Sequence, residues 1–236
     1  MPIRLHTPEN HRFLRKTDYV VESLRASILA GYIEPGTSLT EKQIKEVLPV
    51  SSSPIREALN QLEAEGLLVR SPHVGTKVAE LFAEDVRELY AIQTLLECAA
   101  VQMCGARLTK SDLDEAERLN DEMKATLSAL SYDVHAIRLL NYRFHMIVCG
   151  MNVHAWLARL IAAIRVRLPK KKTIWLIPPE ARAGIRYHRK IVEALRRGDP
   201  HAASDMMRRH LEEAQRTYFS QERTKGARDA NELHHK

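Results

Sequence analysis

Aromatic side chains are scarce in this chain: four Phe, two Trp and seven Tyr amount to 6% of its residues, although apolar residues as a whole reach 44%. A β-sandwich, which fills its two inner faces with aromatic and β-branched residues, is disfavoured by that scarcity. Helices packed through Leu, Ile, Val and Ala are expected instead. Cysteine is nearly lacking as well. Cys98, Cys104 and Cys149 are odd in number and show no C-x-x-C spacing, which excludes a disulfide framework and reads as three small buried hydrophobes in a reducing compartment. No apolar run approaches the length that crosses a bilayer, and the opening "MPIRLHTPEN" lacks the apolar core of a secretion signal. The expected location is therefore the cytoplasm, without a membrane partner. Internal repeats and low-complexity tracts are missing too.

What the chain does have is length and positive charge. Its 236 residues suit two domains. The net charge is +6, but residues 1–80 hold ten Lys+Arg and ten Asp+Glu, which cancel. The excess lies beyond them, above all from Arg159 to Lys190, where ten basic residues face Glu180 alone. Global charge thus argues only weakly for a nucleic-acid partner.

The first 80 residues have a readable order. In "DYVVESLRASILAG" the apolar residues Val20 or Val21, Leu24 and Ile28 fall on one helical face, and Gly31 stands where the helix stops. "EPGTSL" is a Pro-Gly turn. "TEKQIKEVL" is a short helix with Thr40 as cap and Gln43 completing a capping box. "SSSPIREALNQLEAEG" turns Ile55, Ala58, Leu59 and Leu62 inward and ends at Gly66. Two β-prone pieces, Leu67 to Arg70 and Thr76 to Val78, then bracket a Pro and a Gly as a hairpin. Three helices and a small hairpin describe a winged helix-turn-helix.

The serine cluster at the mouth of the third helix has two readings. Ser51 as N-cap, with Pro54 in the first turn, satisfies ordinary helix chemistry, but that uses one serine of three. Ser52, Arg56 and Asn60 recur at four-residue spacing opposite the apolar stripe, with Ser53 beside them. A polar face of this kind suits a recognition helix, whose N-terminal residues meet the major groove while its unpaired N–H groups face phosphate. Lys42, Arg56 and Lys77 are the cations at hand.

From about Leu81 long helical patterns take over, giving an all-α second domain over 81–222, after a first domain over 1–80, and a flexible tail over 223–236. The expected helices include "EDVRELYAIQTLLECAAVQMCGARL", one begun by a Thr109–Asp112 capping pattern, one that stops at Gly150, and one that opens at Asn152. Two more flank "RRGDP". "PKKKTIWLIPPE" breaks the pattern with prolines. Trp156 and Trp175 are expected to pack.

Three histidines of this domain should lie close together. His188 lies ten residues before Gly198 and His210 twelve after it, so in an antiparallel pair both sit roughly 15 to 18 Å from the turn. His145 is on another helix, with Asn141 one turn earlier on the same face. Three imidazoles and the Asn141 Oδ1 in a bundle core suit zinc, nickel or a similar borderline cation, manganese included, with positions open to water or a ligand oxygen. An open three-histidine site can also activate water, so a metal-dependent hydrolytic enzyme is a rival reading. Against it, no Glu or Asp is expected near the histidines, because Glu193 and Glu212 lie at other helical phases. A further rival is an architectural DNA binder with a purely structural metal.

The stretch from "LRASILAGYIEPGTSLTEKQ" through "VSSSPIREALNQLEAEGLLVR" resembles the DNA-binding domain of GntR-type transcription regulators. The segments "NYRFHMIVCGMN", "YHRKIVEAL" and "MMRRHLEEA" resemble the metal-binding segments of the FadR-type, all-helical FCD effector domain. The resemblance implies a homodimeric, non-enzymatic repressor that grips a double-stranded DNA operator. Lys42, Ser51, Ser53 and Arg56 would be at the DNA, with His73 to Gly75 as the tip of the wing. It also implies Asn141, His145, His188 and His210 as metal ligands, and an organic acid as effector. Three positions depart from the pattern. Ser52 replaces an arginine that reads guanine, a bidentate contact worth about 1–3 kcal/mol. Asn141 replaces aspartate, and Gln93 replaces an arginine that faces the effector carboxylate. Arg165 or Arg167 is expected to take over that last role.

Overall fold

The computed structural model describes residues 3–6, 15–71, 75–80, 82–129, 132–168 and 178–233. The chain is mainly helical, in the order α1 (Lys16–Ala30), β1 (Ser38–Leu39), α2 (Glu41–Val47), α3 (Ser52–Ala64), β2 (Leu68–Ser71) and β3 (Gly75–Val78), followed by helices alone. These are α4 (Ala83–Cys104), α5 (Lys110–Leu127), α6 (Val134–Val148), α7 (Ala155–Arg167), α8 (Pro178–Arg196) and α9 (Pro200–Leu233), with one turn of 3₁₀ helix at Gly105–Arg107.

Two compact units are present. One comprises residues 1–89 with 163–170, the other 90–162 with 171–236. The boundary between these compact units falls at 89/90, within α4.

In the first unit, α1 ends where Gly31 takes a left-handed φ of 78° and its N–H closes onto the Ile28 carbonyl. Its apolar stripe, Val20, Leu24 and Ile28, is buried, and α1 packs on α3 through Ile55, Ala58, Leu59 and Leu62. Arg25 fastens that pair by donating to both Glu65 carboxylate oxygens. Helix α2 opens on the expected capping box: Gln43 N donates to Thr40 Oγ1 at 3.2 Å, and Thr40 N donates to Gln43 Oε1 at 2.9 Å. Strands β2 and β3 form the antiparallel hairpin, pairing Leu68 with Val78 and Ser71 with Gly75. A third strand, β1, pairs Ser38 with Lys77, so the sheet order is β1-β3-β2. Two residues cannot display a period-2 alternation, and the sequence there reads only as a turn. His73, at the expected wing tip, lies outside the described residues.

The second unit is a helical bundle in which α5 packs on α6 and α8, and α8 packs on α9. Leu119, Met123, Phe144, Ile191 and Met207 are fully buried in its core. Thr109 caps α5 reciprocally with Asp112, as the sequence indicates, and the Thr109 hydroxyl and N–H hold the Asp112 carboxyl below the usual carboxylate range. Gly150 adopts φ 71° and admits Cys104, whose Sγ would lie 2.6 Å from any Cβ placed there. All three cysteines are free and buried, and burial pushes the Cys98 and Cys104 thiols up, away from thiolate reactivity.

Helix α9 runs on through residues 223–233. Two expectations need correction. Helix α7 starts at Ala155, not Asn152, because the N–H groups of Val153 and His154 close a turn onto the Gly150 carbonyl. Trp156 is 78% exposed, with the Arg159 guanidinium 5.2 Å from its ring, rather than packed. Trp175 and Lys170 to Lys172 lie outside the described residues. Among the described residues no helix is long and apolar enough to cross a membrane.

Candidate nucleic-acid interface and metal centre

Helix α3 buries one side and presents the other. Ser51, Ser53, Arg56 and Asn60 are exposed and Ser52 is half-buried, opposite the Ile55–Leu62 stripe. Ser51 occupies the N-cap position in extended backbone, yet its side chain makes no capping hydrogen bond, so its hydroxyl is not consumed by the helix it begins. The first turns of α1 and α2 carry Asp18 and Glu41, whereas that of α3 carries no acid. The partial positive charge of its N-terminus is left for an external anion.

The longer polar groups on this face are held by neighbours. Arg56 Nε donates to Glu41 Oε1 at 2.8 Å, which raises the guanidinium pKa further, and Ser53 Oγ donates to Glu57 Oε1 at 3.1 Å. Arg70 Nη2 donates to Asn60 Oδ1 at 2.8 Å. Exposed pairs of this sort contribute about 0–1 kcal/mol, so a phosphate can replace Glu41 as the partner of Arg56 at little cost. Lys42 and Gly75 are exposed, and Lys77 is half-buried on the central strand.

The second cluster is buried throughout. His145 on α6, His188 on α8 and His210 on α9 bring their ligand atoms within 4.8 Å of one another. His210 Nε2 lies 3.3 Å from His188 Nε2 and 3.3 Å from His145 Nε2. The opposite nitrogens are held from behind. His145 Nδ1 is 2.7 Å from Glu97 Oε2, and His188 Nδ1 is 3.1 Å from Asn120 Oδ1. The Asn120 amide is itself oriented, since its Nδ2 donates to the Ile185 carbonyl. Both partners present acceptor oxygens, so Nδ1–H is the donor in each case and the Nε2 lone pairs point at one another. Phe144 stacks on the His188 ring with centroids 3.9 Å apart.

Converging lone pairs repel unless a cation lies between them, and an ion bonded tetrahedrally at about 2.05 Å to each nitrogen sets neighbouring nitrogens roughly 3.3 Å apart. Asn141 Oδ1, on the same helix as His145, is buried without a hydrogen-bond partner. Three imidazoles, two of them fixed through their far nitrogens, and one orphaned amide oxygen fit a divalent metal as its donor set.

Sequence reasoning missed Glu97 and Asn120, and it expected no carboxylate beside the histidines. Glu97 is fully buried on α4, accepting from His145, from Gln93 Nε2 at 2.7 Å and from Cys149 Sγ at 3.9 Å. It sits on the far side of the imidazole, where it orients the ring and does not face the open Nε2 side as a general base would. Gln93 therefore spends its amide donor on Glu97, and its Oε1 is buried without a partner. Arg165 is buried and Arg167 half-buried, both on the end of α7 that belongs to the first unit, while Gln93 belongs to the second. Arg167 donates to the Ala163 carbonyl, and burial lowers its pKa. A buried cation of the second unit was overlooked: Arg138, 3% exposed, shares a face of α6 with Asn141 and His145 at three- and seven-residue spacing. That periodicity was the available signal.

Both clusters lie in segments that resemble known families. Residues 16–78 match the family model described as bacterial regulatory proteins, gntR family, and residues 88–213 match the FCD domain. The HTH-type transcriptional regulator YdhC of Bacillus subtilis (strain 168) is 28% identical over 189 residues, covering 80% of this chain and 84% of that protein. The HTH-type transcriptional repressor RspR of Escherichia coli (strain K12) is 29% identical over 198 residues, covering 80% and 83%. Among solved structures, E. coli McbR/YncC superposes with a TM-score of 0.80 over 89% of this chain and 99% of that one, at 23% identity, a likeness of fold.

Proposed function

This chain belongs to the GntR family of bacterial regulatory proteins and carries an FCD domain, and from that premise we propose that it is a metabolite-responsive repressor that binds a DNA operator in the cytoplasm. The observation that carries the reading is the exposed N-terminal face of α3, with a Ser51 hydroxyl that caps nothing and no acid in the first turn. Ser51, Ser52, Ser53, Arg56 and Asn60 meet the major groove, Lys42 meets phosphate, and Gly75 with the wing contributes a further contact, a role the sequence also gives His73. Ser52 cannot make a bidentate contact to guanine, so discrimination at that base pair is softer than an arginine gives. The repressor sign is supported by the relative RspR.

Asn141, His145, His188 and His210 hold a divalent metal, zinc first among the candidates, and that ion supplies a Lewis-acidic position for an effector oxygen. Glu97 and Asn120 keep the imidazoles aimed. The effector is a small organic acid that also bears a hydroxyl or amine, because the atom Gln93 has left is an acceptor. Arg138, on the α6 face that carries Asn141 and His145, is the cation for its carboxylate.

The reading includes a homodimer, which exposed apolar side chains of the second unit support. Leu95 and Met103 on α4 and Trp156 and Leu160 on α7 are between 55% and 78% exposed, apolar surface that a second copy would cover. Two α3 helices then read the halves of a pseudo-palindrome. The test is a titration of a labelled fragment of the DNA upstream of the gene. Affinity should fall steeply with salt and respond to hydroxy acids. Binding that is indifferent to both salt and sequence refutes the reading.

A further inference from the structure

None of the cations between Arg159 and Lys190 is among the residues assigned above to the operator or the metal, yet three of them gather with a fourth from another helix. Arg182, Arg186 and Arg189 recur along one face of α8, and with Lys124 from the last turn of α5 they line a cleft of about 400 Å³. Ser128 adds a hydroxyl, and Leu127 and Ile185 add apolar walls. Among the described residues no carboxylate lines it, and none of the four cations has an ion pair.

Several arginines of the neighbouring surface are neutralised where these are not. On the same domain Arg118 is bonded to Glu115 and Glu122, Arg196 to Asp114 and Glu117, Arg143 to Glu115 and Arg216 to Glu213. A cation at the end of α5 is favoured by the helix dipole, which accounts for Lys124 but not for three arginines on a second helix. Four like charges around one concavity repel, and an anion relieves them. The cleft has the size of small-ligand pockets, about 300–1,000 Å³.

We propose that this cleft binds a small phosphorylated metabolite, a ligand site separate from the imidazole cluster. The guanidinium groups take phosphate oxygens in charge-assisted, fork-shaped hydrogen bonds, Lys124 adds a point charge, and Ser128 Oγ, which donates to the Lys124 carbonyl at 3.0 Å, is left to accept from a ligand hydroxyl. Leu127 and Ile185 accept the carbon skeleton. The Ile185 carbonyl accepts from Asn120, whose Oδ1 faces His188. The α5–α8 wall therefore carries the cleft on its exposed side and an imidazole on its buried side.

The test is calorimetric titration of the full chain with fructose 1,6-bisphosphate and with inorganic pyrophosphate, using fructose as the neutral control. One bisphosphate should bind per chain and fructose should not. The double variant R186Q/R189Q should weaken binding by at least about tenfold, and Lys124→Gln, on the other helix, should weaken it less. Thermal melts confirm that both variants are folded. Protein dialysed against EDTA should bind as before, which separates the cleft from an anion held by metal. The proposal is overturned if neither phosphate compound binds, if EDTA abolishes binding, or if Arg118→Gln costs as much as the double variant. Displacement of the bisphosphate by operator-free duplex DNA also overturns it, marking a nucleic-acid surface instead.

Discussion

The serine face of α3 and the imidazole cluster are both polar, but they are built in opposite ways. On α3 the functional groups stand in solvent and are held by single, exposed contacts such as Arg56 to Glu41. In the cluster all three imidazoles are buried, and two of them are fixed from behind by a second buried group. An exposed face can exchange its partners for phosphate at small cost, and its residues can change without unfolding the domain. A buried cluster has no such freedom, because each polar atom there must be satisfied by the protein or by an ion.

The largest effect should come from Glu97→Ala, which strips an acceptor from both His145 and Gln93 in the core. Denaturant melts should show a loss of about 3–5 kcal/mol, and competition with a chromogenic chelator should show metal affinity reduced roughly 10–100-fold. A variant as stable as the parent would erase the contrast between the two regions. Next, the triple change of Ser51, Ser52 and Ser53 to Ala should leave stability within about 0.5 kcal/mol, as surface substitutions without a cap role do. Operator affinity in a mobility-shift titration should fall by about tenfold or more. A large drop in stability would return the serines to ordinary capping.

A smaller effect is expected from Thr109→Ala, about 1 kcal/mol by thermal or urea melts. Its pH dependence has a definite sign. The Asp112 carboxyl lies below its ordinary value when folded, through the Thr109 hydroxyl and N–H. Its contribution is present above the unfolded value and disappears as pH falls through the folded one, so parent and variant should converge in acid. The smallest effect belongs to Glu41→Gln. It releases Arg56 from an exposed pair, should change stability by no more than about 1 kcal/mol, and should strengthen operator binding slightly.

Much of this was legible in the sequence where the controlling contacts are local. The capping boxes at Thr40–Gln43 and Thr109–Asp112 span three residues, and the level placement of His188 and His210 follows from counting outward from Gly198. Glu97 and Asn120 were not legible, since they meet their histidines across 48 and 68 residues. Only the packing of α4 and α5 brings them there. Strand β1 was hidden by its brevity, and Gln93 was read for what it lacks, a charge, rather than for the carboxylate it supports. The tie of Arg167 to the first unit has no local signal at all.

The most direct measurement is zinc stoichiometry on chelator-dialysed protein, followed by competition titration of the full chain and of His188→Ala. One tightly held zinc per chain, lost or weakened by orders of magnitude in the variant, is the expected result. Equal zinc uptake by the two proteins, or none by either, would contradict a metal centre built from these imidazoles.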